Sequence, residues 1–459
     1  MKRVAVIGGG IAGLSAAWYL EKARRSGAAL QWTLFEKSAR LGGVIQTERR
    51  DGYVLEAGPD SFLTIKPDAS QLCRELGIAE QLISSNDFQR KTYILVRGKL
   101  VPIPDGLEFM VPTRVAPMAT TSLFSFTTKL RMARERFSHT EAQKEDESVA
   151  SFVRRHFGQE MVDRLADPLL SGVYGGSAEH LSVRAVLPRF VEMEREHGSL
   201  VRATLQARRA RTHSNSASPP LFTSLKNGMQ QMVDALAAQL PAASLRLQRS
   251  VTLARRGQSW RVGCTGLDET FDAVLLAVPA PAASCMLKPV QTDLSAMLAK
   301  IPYTSSAAVL LAYKQTELPP GFGFLVPRPE NRKILACTFV HKKFSYRVPE
   351  GGVLLRCFFS SSRMPDLLER TDEDLQDIAQ KELAGILGLN AKPEFVRTFR
   401  WGIAMAQYEV GHLERVAQME DMLTALPGLH VIGNSFHGIG IPDCVKSGRM
   451  AAEKIVARG

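Results

Sequence analysis

At 459 residues the chain has room for roughly three domain-sized units, or one large composite on an interrupted core, and a small module is excluded. Hydrophobic residues at 45% and charged residues at 23% match ordinary soluble globular proteins and exclude wholesale disorder. A balance of 58 Lys and Arg against 46 Asp and Glu leaves a formal charge of +12, which favours an anionic partner: nucleic acid, an acidic lipid surface or a polycarboxylate.

The predicted elements begin with an apolar strand over Val4–Ile7, a glycine cluster from Gly8 to Gly13, a helix from Leu14 to about Arg25 and a second strand, Trp32–Glu36. This is a βαβ unit. A first insertion, roughly Tyr93 to Pro220, reads as mostly helical between two solvated stretches, acidic Thr140–Ser148 and basic, serine-rich Ala207–Pro220. Its upstream part, Phe109–Arg136, mixes apolar and basic residues and could lie on a membrane surface or simply present a solvated charged face. The α/β pattern returns with Ser244–Leu253, a hairpin through Gly257 and the apolar run Phe271–Val278. A second insertion, about Ala307 to Phe395, alternates β-branched and aromatic runs like an antiparallel sheet, followed by an acidic amphipathic helix near Asp372–Leu387. The chain closes with a strand Leu429–Ile432, a glycine loop Gly433–Gly440 and a helix from about Pro442 to Ala457.

The expected organisation is α/β: a Rossmann-type nucleotide-binding domain interrupted by a mixed α+β domain and a mainly helical domain. Its pieces are 1–92 (nucleotide-binding, with the start of the mixed domain), 93–220 (helical), 221–306 (nucleotide-binding), 307–395 (sheet of the mixed domain) and 396–459 (nucleotide-binding). Six cysteines without CxxC spacing fit a reduced compartment and offer no zinc site. Neither a signal peptide nor a membrane-spanning apolar run is expected, which points to a cytoplasmic protein.

Gly8-x-Gly10-x-x-Gly13 between strand and helix suits a tight turn, backbone approach to a pyrophosphate and close helix packing. Gly9, Ile11 and Ala12 complete the loop at the positive end of a helix dipole. Glu36, 23 residues beyond Gly13, stands where a ribose hydroxyl would donate, with Lys37 beside it. Arg40-Leu41-Gly42-Gly43 would let main chain pass close to a phosphate or ring, and Gly58-Pro59-Asp60-Ser61 forms a rigid turn. Each of these, taken singly, also reads as a structural turn. In Gly438–Gly448, proline at the first helical turn marks a helix start whose dipole would stabilise negative charge on a reduced flavin. His437 reads either as a proton relay or as a hydrogen-bonded structural imidazole.

GGGIAG, the RLGG pair, the EAGPDSF turn, Asp167-Pro168-Leu169-Leu170-Ser171-Gly172-Val173-Tyr174-Gly175-Gly176 and the terminal GIGIPDCVKSG together resemble the oxygen-dependent porphyrinogen oxidases of haem biosynthesis, across almost the whole chain. The resemblance implies that the Rossmann-type domain is a FAD-binding domain and the mixed α+β domain the substrate domain, with FAD held by Gly8–Gly13 at the pyrophosphate, Glu36 at the ribose, Gly42-Gly43 and Gly58–Ser61 around the flavin, and Val251 at adenine. Trp401 and Ile439-Gly440-Ile441 would flank the isoalloxazine, and the Gly172 carbonyl would meet pyrrole N–H groups. It implies a porphyrinogen substrate and O2, and no catalytic side chain beyond the flavin; the dispersed basic residues, without recognition motif or aromatic platform, argue against nucleic acid. It leaves room for peripheral contact with the inner face of the cell membrane and for handover to a chelatase.

A meso CH2 is already a good hydride donor, so the pocket need only orient it, while the propionates call for cations. Lys66 and Arg189 are candidates for those, against the plainer reading of solvated charges. Coproporphyrinogen III and protoporphyrinogen IX both fit, with the PDSF turn and compact chain tilting towards the former. An amine oxidase, a carotenoid desaturase and a non-catalytic Rossmann binding module remain the alternatives.

Overall fold

The computed structural model describes residues 1–138, 145–211, 220–264 and 266–457. The chain divides into two compact units: Met1–Ser85, Pro220–Pro302 and Leu413–Gly459 form one, Asn86–Pro219 and Tyr303–His412 the other. Among the described residues no helix is long and apolar enough to cross a membrane.

The first unit is a Rossmann-type domain on a five-stranded parallel sheet. Lys2–Ile7 lies between Leu30–Phe35 and Ala273–Leu276, with Leu245–Arg246 and Leu429–Val431 at the two edges. Val4, Ala5 and Val6 are all fully buried, so both faces are covered, which is why the strand reads as a continuous apolar run. Helices Ile11–Arg25 and Ile441–Ala457 pack so closely that a Cβ on Gly448 would lie 2.4 Å from the Ala12 carbonyl oxygen. The two ends of the sequence thus share one core, through Leu14, Leu20, Val445 and Ile455.

The second unit carries a seven-stranded sheet in the order Phe395–Ala406, Tyr303–Lys314, Gly352–Ser360, Ala336–Phe339, Gly323–Leu325, Thr92–Val96, Lys99–Pro102. Helix Asp372–Leu387, started by a capping box between Thr371 and Asp374, adds Leu375, Ile378 and Leu383 to the core of that sheet. A separate helical cluster gathers Phe152, Phe157, Leu165 and Leu200 with Met132.

Several boundaries differ from the sequence reading, for reasons of strand pairing. The last FAD-binding piece begins at Leu413 and not at 396, because Phe395–Ala406 pairs along Tyr303–Lys314 in the second unit. The first piece ends at Ser85, not 92, and the helical insertion 93–220 gives its opening strands Thr92–Val96 and Lys99–Pro102 to the sheet. That sheet is mixed, since Gly323–Leu325 runs parallel to Thr92–Val96. The expected strand Ser244–Leu253 breaks after Arg246 and resumes only at Thr252–Arg256, with Gln248 at φ 55° in between. Of the expected solvated stretches, 139–144 and 212–219 lie outside the described residues. The Ala207–Arg211 part is helical, continuing Leu200–Arg211 through strong helix formers.

Candidate cofactor site

Three glycines of the N-terminal turn have different physical causes. A Cβ on Gly8, at φ +109°, would sit 2.4 Å from the Ala277 carbonyl oxygen, and one on Gly13 2.0 Å from that of Gly8. The protein's own packing demands both. Gly10 lies at φ −72° and a Cβ there would meet nothing within 4 Å. Glycine costs backbone entropy that no contact of the chain repays at Gly10, so the space over it suits a ligand. Helix Ile11–Arg25 begins there with no side-chain cap and no acidic residue in its first turn, leaving its N–H groups and positive dipole end for an anion. Gly9, Ile11 and Ala12 are buried around this turn.

Glu36 follows the strand Leu30–Phe35 and reaches back to the turn. Its Oε2 accepts from the Gly9 N–H at 2.6 Å and its Oε1 from the Ser38 N–H at 2.8 Å. Ser38 Oγ donates to Oε1 as well, at 2.5 Å, so it is Oε2 that retains acceptor capacity for a hydroxyl. The backbone of Glu36 is clasped by the returning chain: its N–H donates to the Arg246 carbonyl at 3.0 Å and its carbonyl accepts from the Arg249 N–H at 2.9 Å. That clasp ties the segment leading to Val251, 215 residues further along the chain, to the end of this strand; Lys37 is exposed.

Gly42 and Gly43 come back onto the glycine turn, the Gly42 N–H donating to the Gly9 carbonyl at 2.7 Å and a Gly43 Cβ lying 3.3 Å from the Gly10 Cα. Arg40 stitches this loop, its guanidinium donating to the carbonyls of Leu41, Gly43 and Ile45. The RLGG motif does not by itself assign Arg40 this role; the signal for it is the reach from i to i+5 over two glycines. Gly58 packs against the same loop, a Cβ there lying 1.9 Å from the Val44 carbonyl oxygen. Pro59 and Asp60 follow, the Asp60 carbonyl accepting from Ser224 Oγ at 2.6 Å and its carboxylate from Ser61 Oγ at 2.7 Å.

At the other end of the sequence, Ile439 and Gly440 lead into the helix that starts at Ile441. Asp443 accepts from the Gly440 N–H at 3.2 Å and binds Lys66 through both oxygens at 2.7 Å. Lys66, a sequence candidate for a substrate cation, is thus already paired, with a partner 377 positions away that no local pattern reveals. His437 is exposed and pairs with exposed Glu420 at 2.8 Å. Cys444, buried one turn into the helix, has its thiol pushed up to about 12 by burial and by the Asp443 charge.

In the second unit, Gly172 lies in the last turn of helix Asp167–Tyr174, where carbonyls lack intrahelical partners, and the helix ends on Gly175 in the left-handed conformation. Gly172 is exposed, and a Cβ there would make only an ordinary 3.7 Å contact with Leu325. Packing does not require a glycine here, although one costs about 1 kcal/mol in a helix interior. Asp167, buried at the head of the helix, accepts from Ser177 Oγ at 3.0 Å and the Ala178 N–H at 2.9 Å, tying the Gly-Val-Tyr-Gly-Gly turn back on itself. Trp401 stands opposite Ser306 in the sheet, and Arg189 is exposed on helix Pro188–His197.

The family described as flavin containing amine oxidoreductase matches residues 11–456. A coproporphyrinogen III oxidase of Bacillus subtilis is 35% identical, with 98% of this chain and 97% of the relative covered. Protoporphyrinogen oxidase 2 of Arabidopsis thaliana is 27% identical, with 99% and 94% covered. A crystal structure from Exiguobacterium sp. 255-15, named for protoporphyrinogen oxidase, matches with TM-score 0.89 at 30% identity over 100% of this chain and 99% of that one. A putrescine oxidase structure, at 19% identity and TM-score 0.72, shares the fold.

Proposed function

The chain belongs to the flavin containing amine oxidoreductase family, and we propose that within it this protein oxidises coproporphyrinogen III to coproporphyrin III. It is an FAD-dependent oxidoreductase that acts on a porphyrinogen in haem biosynthesis. The observation that carries the choice of coproporphyrinogen is the near full-length likeness to a coproporphyrinogen III oxidase, stronger than that to the plant protoporphyrinogen oxidase.

Bound FAD supplies a two-electron acceptor, so three rounds remove the six electrons that separate porphyrinogen from porphyrin. With O2 as the terminal acceptor the balance is one porphyrinogen and three O2 to one porphyrin and three H2O2. The chain's own residues bind and orient. Gly10 and the uncapped start of helix Ile11–Arg25 take the pyrophosphate, and Glu36 the adenosine ribose, with Val251 beside it. Gly42, Gly43 and the turn Gly58–Ser61 border the flavin, together with Ile439–Ile441. The Gly172 carbonyl accepts from pyrrole N–H groups and holds the macrocycle for hydride departure.

Membrane contact and delivery of product to a chelatase are further parts of the proposal. Val115, Phe126 and Phe137 are 85%, 80% and 80% exposed among Arg114, Lys129, Arg131, Arg134 and Arg136, a mixture suited to an anionic lipid surface. Anaerobically prepared coproporphyrinogen III and protoporphyrinogen IX, offered to one flavin-loaded preparation, test the function. Porphyrin fluorescence should rise faster with the former, with three H2O2 formed per porphyrin. No rise above the spontaneous rate with either would refute the reading.

A further inference from the structure

Beside the Gly-Val-Tyr-Gly-Gly helix, the second unit gathers an excess of guanidinium. Arg328 donates from Nε to the buried carboxylate of Asp167 at 3.1 Å and from Nη1 to the Ser362 carbonyl at 3.4 Å, yet its side chain is 39% exposed. Arg363 donates from Nη1 to the Ile334 carbonyl at 2.8 Å. Its Nε and Nη2 are buried and, among the described residues, have no hydrogen-bond partner. Arg332 pairs with Glu382 at 3.6 Å, and Glu382 Oε1 accepts from the Lys333 N–H at 2.9 Å. Three guanidinium groups (Arg328, Arg332, Arg363) thus stand with the two carboxylates of Asp167 and Glu382, one cation more than these anions balance. Burial and the neighbouring Arg328 charge bring the Arg363 guanidinium down to about 10, as expected of a cation short of partners.

We propose that Arg328, backed by the buried charge of Arg363, forms a carboxylate-binding subsite that takes a propionate of the porphyrinogen. The proposal rests on the reading of substrate given above. A desolvated guanidinium with unmet N–H groups is costly, and an anion arriving at the cluster recovers that cost. The place is right for a propionate. Asp167, which holds Arg328, lies five residues before Gly172 on one helix, about 7.5 Å along its axis. Leu325, three residues before Arg328, is the side chain nearest a Gly172 Cβ. The Gly175 carbonyl is held by Ser360 Oγ and Ser362 Oγ, both at 2.6 Å, so the residues flanking Arg363 are joined to the turn that ends the helix. A tetrapyrrole seated on the Gly172 carbonyl has its carboxylates at its rim, outward from that point.

Titrating coproporphyrin III and its tetramethyl ester onto the FAD-loaded full chain tests the subsite through quenching of porphyrin fluorescence. Arg363→Gln is expected to weaken the free acid at least tenfold while leaving the ester unchanged. Arg363→Lys, which keeps a charge, should restore most of the loss. Flavin absorbance and melting temperature report whether each variant is folded, and Arg328→Lys gives a second reading should Arg363→Gln fail to fold. Wild-type affinity for the free acid in Arg363→Gln, or an equal loss for acid and ester, would overturn the subsite. A wild-type protein that turns over no porphyrinogen would instead overturn the function it rests on.

Discussion

Lys66 Nζ lies 2.7 Å from both carboxylate oxygens of Asp443, joining residues 377 positions apart at the start of the C-terminal helix. The carboxylate also accepts from the Gly440 N–H, so it closes the loop that we assign to the flavin. Asp443 alone would offset the helix's positive end, and Lys66 balances it. The Lys66 side chain is nearly half exposed, so the pair itself contributes no more than about 1 kcal/mol.

Removing either charge should therefore show in the flavin's redox potential more than in folding. Lys66→Met is expected to shift the midpoint potential negative and Asp443→Asn positive, at unchanged flavin content. The KM for coproporphyrinogen III should stay within about twofold in Lys66→Met, because that charge already has a partner. Spectroelectrochemical titration of the three proteins decides it; coincident potentials would remove Lys66 and Asp443 from flavin tuning.

Gly10→Ala and Gly13→Ala should fail in opposite ways. Nothing in the protein opposes a Cβ on Gly10, so that variant should fold as apoprotein with an unchanged melting temperature yet lose most of its flavin. On Gly13 the Cβ would fall 2.0 Å from the Gly8 carbonyl oxygen, and the turn itself must shift. Flavin-to-protein ratio and apoprotein melting separate the two; full flavin occupancy in Gly10→Ala would contradict a ligand over that residue.

In the helical part of the second unit, His156 is buried between Glu135 at 3.0 Å and Glu194 at 2.9 Å. Glu135 also accepts from the Leu200 and Val201 N–H groups, and Arg155 donates to Glu194 and Glu147. Burial opposes charge on His156, but its two carboxylate partners outweigh that and raise its pKa; burial likewise opposes ionisation of the two glutamates, whose hydrogen bonds hold them low. A raised histidine pKa gives stability that is complete below the ordinary value of about 6.5 and fades as pH rises through the folded value. The lowered glutamates contribute above the ordinary carboxylate range and lose it on acidification. Melting temperature should thus fall on both sides of neutrality, and His156→Gln should flatten the alkaline limb. Glu135→Gln, which breaks a buried pair, should cost about 3–5 kcal/mol. An alkaline limb identical in His156→Gln and wild type would exclude the imidazolium.

The cysteines should divide sharply towards iodoacetamide. Cys285 is exposed, whereas Cys73 and Cys444 are buried with thiols pushed up to about 12 by burial. Peptide mapping of native protein at mildly alkaline pH should find Cys285 alkylated, and the other two only after unfolding. Early labelling of Cys444 would mean that the C-terminal helix opens readily.

Local chemistry was written along the chain. The βαβ start, the glycine turn before Ile11, Glu36 at the end of its strand and the capped helix Asp372–Leu387 follow from apolar period, φ requirements and capping, which operate within a few residues. Partnership was not. Phe395–Ala406 reads equally well as part of either unit until Tyr303–Lys314 claims it, because a strand's identity lies in its ladder and the ladder is non-local. The same holds for charge. Among 58 lysines and arginines, only folding selects Lys66 to neutralise Asp443 and sets Arg363 beside Arg328 with two N–H-bearing nitrogens that meet no partner among the described residues, since an ion's role depends on what surrounds it within a few ångströms.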